Sequence, residues 1–192
     1  MENAIMLSIR PKWCELIASG RKTIEVRKTR PKIPVPFKCY IYCTKPKMIT
    51  KYVFKPEDYP EYMRPEKTVF CKVPDASSPF CSEVNGNGKV IGEFVCDKVD
   101  TLFNDSGNPE NYMHDILPEI LKKTAMCLHE FGAYVGNRGK GKNIYGWHIS
   151  DLKIYDKPKE LSEFIGLRKT KFGFEPVAIK RPPQSWCYVE DE

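Results

Sequence analysis

The chain has 192 residues, 41% of them hydrophobic and 12% aromatic, with a formal net charge of +6. That apolar content excludes a disordered chain, and no window is long and apolar enough to span a bilayer as a helix. The 31 basic against 25 acidic residues suit an anionic partner, although an excess of this size is also ordinary solubility charge.

A single domain over residues 1–192 is expected, long enough to bury a real core. The start, Met1 to Pro11, has no basic segment followed by a long apolar run, so no secretory leader is expected and a cytoplasmic location follows. In that reducing setting the eight cysteines are read as thiols. They contain no CxxC pair. Cys39 and Cys43 lie four apart on an expected strand and are expected to be buried thiols, not half of a zinc site. Neither a metal nor a cofactor is called for.

In chain order, Ala4–Ile9 alternates Ile5, Leu7 and Ile9 against Met6, Ser8 and Arg10, the pattern of a strand. Pro11 opens a helix where its missing N–H costs nothing, Trp13, Leu16 and Ile17 form the apolar stripe, and Gly20 closes it as a left-handed cap. Thr23–Lys28 is a half-buried strand with Thr23, Glu25 and Arg27 on one face and Ile24 and Val26 on the other. A proline-rich turn from Arg30 to Pro36 leads to a strand at Phe37–Cys43. Residues 46–87 form an irregular insertion holding short strands at Met48–Phe54 and Thr68–Val73, and Asn85–Gly88 is a turn signal. Lys89–Val99 is one strand, in which Gly92 points to a bulge or a close backbone approach.

Asn108–Val135 is helical, divided by Pro118 into a helix near Pro109–Ile116 and another from Pro118 to Tyr134. Ile120, Leu121, Met126, Leu128 and Phe131 are expected in the core. Gly136–Lys142 is a basic, glycine-rich loop; strands follow at Asn143–Ser150 and Leu152–Tyr155. Asp156 caps a short helix at Pro158–Ile165, residues 167–183 are basic and proline-bearing, and Ser185–Glu190 closes the chain as a strand. Many short strands, few helices and no βαβ rhythm predict a mixed α+β fold, mainly β: a small β-barrel with flanking helices.

The chemistry concentrates after Gly20. Lys22 and Arg27 suit a phosphate or a base edge, and Glu25 suits an exocyclic amine or the task of holding Arg27. The plainer alternative is a Glu25–Arg27 pair on a strand wall with Lys22 in solvent. Trp13, Trp147 and Trp186 are candidates to stack a splayed base, with the core as the competing place for each. His148 alternates to the face opposite Trp147 and Ile149, as a ligand donor or as a hydrogen-bonded structural histidine. Arg138–Lys142 either clamps phosphates or is a solvated loop; it lacks the strand-then-helix setting of a P-loop.

Gly20-Arg21-Lys22-Thr23-Ile24-Glu25-Val26-Arg27 resembles the G-x-K-x-x-E-x-R signature of ASCH domains, a branch of the PUA-like superfamily. Leu7-Ser8-Ile9-Arg10-Pro11 upstream, Lys89–Phe94 in the middle and Tyr145–Ser150 with Leu152, Tyr155 and Asp156 later are similar to the family's other segments. The resemblance covers roughly residues 4–45, 88–102 and 125–190 and leaves 46–87 as the insertion. It implies a PUA-like pseudo-barrel with a cleft near the first helix, binding RNA or a nucleotide-like small molecule. Lys22, Glu25 and Arg27 are its polar anchors, with Ser8, Arg10, Trp147, His148 and Ser150 as further ligand contacts.

Some family members resemble enzymes, amidohydrolases of acylated cytidine or ribonucleases. If this chain were one, Lys22 and Glu25 would be its catalytic candidates. In the amidohydrolase branch a nucleophilic Thr follows the motif Lys by three residues. Here that position is Glu25, Thr23 comes two residues too early, and the branch's later Glu could be Glu93 or Glu130. A third reading is a protein-interaction module that uses Tyr52, Tyr59 and Tyr62 of the insertion.

Overall fold

The computed structural model describes residues 3–45, 48–74, 87–104, 118–136 and 143–191; of residues 48–52, 71–74 and 104 it describes the backbone alone. The elements run β1 (Asn3–Ile9), α1 (Pro11–Ala18), β2 (Ile24–Arg27), β3 (Phe37–Cys43), β4 (Met48–Phe54), β5 (Val69–Pro74), β6 (Lys89–Cys96) and β7 (Val99–Asn104). They continue with α2 (Pro118–Thr124), α3 (Leu128–Val135), β8 (Asn143–His148), β9 (Ser150–Lys159), β10 (Ile165–Thr170), β11 (Gly173–Ala178) and β12 (Trp186–Glu190).

Strand β1 lies in the middle of a seven-stranded sheet of order β11-β10-β12-β1-β3-β6-β9, pairing parallel to β3 and antiparallel to β12. It is buried on both faces, as its near-continuous apolar run requires. Ile5, Leu7 and Ile9 join Cys39, Ile41, Cys43, Phe94 and Trp147 under α1, while Ala4 and Met6 pack with Tyr40, Val90 and Phe164 on the other side. A second sheet, β2-β8-β7, is covered by α2 and α3 through Val26, Phe103, Met126, Phe131 and Ile144. The predicted mixed, mainly β class stands. The expected barrel does not: among the described residues the sheets are open. No described helix is long and apolar enough to cross a membrane.

Several boundaries differ from expectation for local reasons. The strand expected at Lys89–Val99 is two, β6 and β7, assigned to different sheets. The helix expected from Pro118 to Tyr134 breaks at Ala125, whose φ is 53°. Cys127 then restarts it as an N-cap, reciprocated by the Glu130 side chain. Leu128 is exposed rather than core. In place of a helix at Pro158–Ile165, β9 runs through Pro158, tolerated because β9 is an edge strand whose register with β6 skips that residue. Residues 165–178 form a hairpin, with Pro176 on the opposite edge strand, β11. Among the described residues, strands β4 and β5 pair only with each other, as a two-stranded sheet that falls in the chain between β3 and β6. The helix expected near Pro109–Ile116, the Arg138–Lys142 loop and the side chain of Tyr52 lie outside the described residues.

β9 runs close against β6 at Gly92. A Cβ there would stand 2.4 Å from the Lys153 carbonyl oxygen, and the β6–β9 register shifts on both sides of it. Gly92→Ala should therefore cost about 1–3 kcal/mol through a forced backbone shift. The reading is the urea midpoint at unchanged m-value; a wild-type midpoint would refute the close approach.

A buried ionic brace beside a basic groove

β2 was expected to be half-buried, but all of Ile24–Arg27 is inside. The reason is tertiary: β2 is an edge of the small sheet, and its polar face is closed by α2, β1 and the segment before β12. Lys22, Glu25 and Arg27 are 2%, 6% and 7% exposed. The Glu25 carboxylate lies between the two cations, 3.3 Å from Lys22 Nζ and 3.1 Å from Arg27 Nε. Each cation is also claimed by backbone. Lys22 Nζ donates to the Thr124 carbonyl at 2.9 Å. Arg27 donates to the carbonyls of Ser8 at 2.9 Å and Ser185 at 3.2 Å. One side chain thus ties β2 to β1 and to the chain entering β12.

Burial pushes the Lys22 ammonium down from its usual value, and the adjacent Glu25 carboxylate opposes this without cancelling it. Lys22 Nζ also lies 5.0 Å from the Trp13 ring centroid, with Lys12 at 4.7 Å from the same ring. Of the two later glutamates, Glu130 is on the Lys22 side, pairing with Lys12 at 2.6 Å. Glu93 instead accepts a hydrogen bond from Tyr155 Oη at 2.5 Å on another part of the molecule.

The remaining predicted contacts divide. Ser8 belongs to the brace: its hydroxyl donates to the Pro183 carbonyl at 2.6 Å and its own carbonyl accepts from Arg27. Arg10 is exposed at the start of α1. Trp147 is fully buried in the core opposite Glu25 across β2–β8, which removes it from stacking a ligand. His148 is held by Asp100 at 2.8 Å. Burial pushes the Asp100 carboxyl up, but hydrogen bonds from Lys98 and His148 outweigh this and leave it below the usual carboxylate value. Ser150 donates to the Val95 carbonyl. Cys39 and Cys43 are buried free thiols, as expected.

The open space lies one residue beyond the brace. A groove of about 1120 Å³ is lined by Lys28, Arg30, Lys32, Phe37, Asn143 and Tyr145 together with Pro31, Ile33 and Pro34 of the β2–β3 loop. No carboxylate lines it among the described residues. The Arg30 guanidinium sits 5.7 Å from the Tyr145 centroid, and the Lys28 ammonium 4.9 Å from that of Tyr134. A smaller cavity of about 520 Å³ carries Lys38, Lys153, Lys157 and Lys159, but with Glu93 and Asp156 among them its charge is mixed. Sequence reasoning passed over the groove because it treated Arg30–Pro36 as a turn. The available signal was the alternation of Lys28, Arg30 and Lys32 directly after the motif.

The family model of the ASCH domain matches residues 7–101, spanning the brace and the basic side of the groove. The chain carries an ASCH domain. Its fold agrees with that of solved ASCH structures from Zymomonas mobilis. The ASCH protein of that organism superposes with a TM-score of 0.55 at 15% identity, covering 97% of this chain and 87% of that one. A second structure, a serine-to-alanine mutant of the Zymomonas mobilis protein, gives 0.54 at 14% identity, covering 97% of this chain and 88% of that one. No curated protein matches the sequence. ASCH domains are generally linked to RNA binding. In this one the signature residues Lys22, Glu25 and Arg27 are an internal brace, while Lys28, Arg30 and Lys32 directly after it are exposed.

Proposed function

We propose that this ASCH domain binds RNA or a nucleotide-like ligand in the groove lined by Lys28, Arg30 and Lys32. The GRKTIEVR motif is then the frame that sets the groove's shape. The observation that carries the reading is the groove itself: three cations, an exposed path to solvent, and the half-buried ring of Tyr145 on the same wall. Phosphates meet the cations, and a base finds a flat apolar partner. The brace supports this arrangement at two points. Arg27 immediately precedes Lys28, and Trp186, next to the Ser185 that Arg27 holds, donates through Nε1 to Thr29 Oγ1 at 2.9 Å.

The test is fluorescence anisotropy with labelled single-stranded RNA and with nucleotides, across a salt series. With three phosphate contacts, log affinity should fall against log salt with a slope of about −2. The variant Lys28→Ala/Arg30→Ala/Lys32→Ala should lower affinity at about 50 mM salt by about tenfold or more and flatten that slope. Absence of binding to either probe at low salt, or a triple variant that binds like wild type, would refute the reading.

A further inference from the structure

We infer that the β10–β11 hairpin extends the groove into a track for single-stranded RNA several nucleotides long. This inference rests on the reading of the groove as an RNA- or nucleotide-binding site and adds to it a second contact surface and a substrate form. The two surfaces are physically joined. Within the groove loop, the Lys32 backbone N–H donates to Tyr188 Oη at 3.0 Å and Thr29 accepts from Trp186 at 2.9 Å. From there a row of half-buried rings leads outward along one face: Trp186 to Tyr188 at 5.3 Å between centroids, then Tyr188 to Phe174 at 4.8 Å. The strand register keeps them on that face, since Leu167 pairs with Tyr188 and Lys169 with Phe174.

Cations accompany the rings. The Lys169 ammonium lies 5.8 Å from the Phe174 centroid and the Lys171 ammonium 5.0 Å from that of Phe172. Phe172, at the hairpin tip, is 86% exposed, a large apolar ring held in water with no packing role. The tip is nonetheless built: Thr170 Oγ1 accepts from the Phe172 N–H and donates to the Gly173 carbonyl, both at 3.2 Å. Glu175, the sole acid of the 165–178 hairpin, pairs with Arg168 on the opposite face, which leaves the hairpin's part of the ring-bearing face positive. Rings spaced among cations serve unstacked bases on a phosphate backbone. A duplex hides the base faces they would use.

The experiment compares a trinucleotide with an oligonucleotide of about 12 residues of the same base, both single-stranded, by anisotropy over a salt series. The variants are Lys169→Ala/Lys171→Ala, Phe172→Ala and the groove triple variant. All hairpin substitutions are exposed, and their folding is checked by thermal melting. The longer RNA should bind wild type at least about tenfold more tightly than the trinucleotide. The lysine variant should lose most of that gain and reduce the salt slope by about 1.4, and Phe172→Ala should weaken the longer RNA several-fold; trinucleotide binding should be unchanged in both. Hairpin variants that bind the longer RNA like wild type, or a duplex of equal length that competes equally well, would overturn the track while leaving the groove in place. If the groove variant and wild type behave alike on both lengths, the groove reading itself falls and the track with it.

Discussion

Glu25→Ala should lower stability by about 3–5 kcal/mol, because it leaves two buried cations without their shared counter-charge. For a chain of this size that corresponds to a melting temperature lower by about 6–20 °C. The loss has a pH signature. Lys22 already holds its proton less tightly when folded than its ordinary value of 10.5, and Glu25 is the strongest influence opposing that shift. Removing the carboxylate lowers the folded value further. Between that value and 10.5 the unfolded chain binds more protons than the native one, so stability rises with pH through the window. The deficit of Glu25→Ala is therefore greatest below that window and shrinks as the pH rises through it, leaving the part owed to Arg27. Pairing the change with Lys22→Met should recover part of the loss, as a double-mutant cycle would show. Urea melts at several pH values test this, and a Glu25→Ala variant within about 1 kcal/mol of wild type would contradict the brace.

Trp147→Ala should cost about 3–5 kcal/mol, the range for emptying an aromatic site in a packed core. Trp147 is fully buried, edge-on to Phe37 at 5.5 Å and 6.1 Å from Trp186, where the main sheet meets the small one. Its Nε1 has no hydrogen-bond partner among the described residues. A buried donor left unpaired costs about 1–3 kcal/mol, so Trp147→Phe removes a penalty along with some volume. The phenylalanine variant should be the milder by about 2 kcal/mol or more. Equal losses in the two variants would mean that the indole nitrogen is satisfied and the ring is not acting as packing alone. Because Tyr145 on the same strand lines the groove, the alanine variant should also weaken the proposed RNA binding beyond its loss of folded protein.

Most of the framework was readable from the residues in order. Strands β1, β3 and β12 follow from alternation and β-branched or aromatic content, and Pro11 and Gly20 bracket α1 as expected. The prediction of a bulge or close approach at Gly92 was correct because only a residue without Cβ fits against a neighbouring carbonyl. The errors fell where a tertiary neighbour overrode a local cue. Pro158 looked like a helix start, yet an edge strand accepts proline equally well, and which strand lies at the edge is decided by the whole sheet. The basic 167–183 stretch gave no strong alternation, and its pairing as a hairpin came from β12 supplying a neighbour for β10.

The same division runs through the site. By itself the sequence determined that Glu25 and Arg27 share one face of a strand, because alternation places residues 25 and 27 together, and it left Lys22 either beside them or in solvent. What only the tertiary structure decided is that this face points inward. Carbonyls from Ser8, Thr124 and Ser185, far apart in the chain, converge on the two cations and make their burial tolerable. Solvent access is a property of the assembled layers, not of the strand that carries the charges. That is why the motif was legible as a cluster, while its burial, with the basic groove of Lys28, Arg30 and Lys32 beside it, emerged only once the sheets were in place.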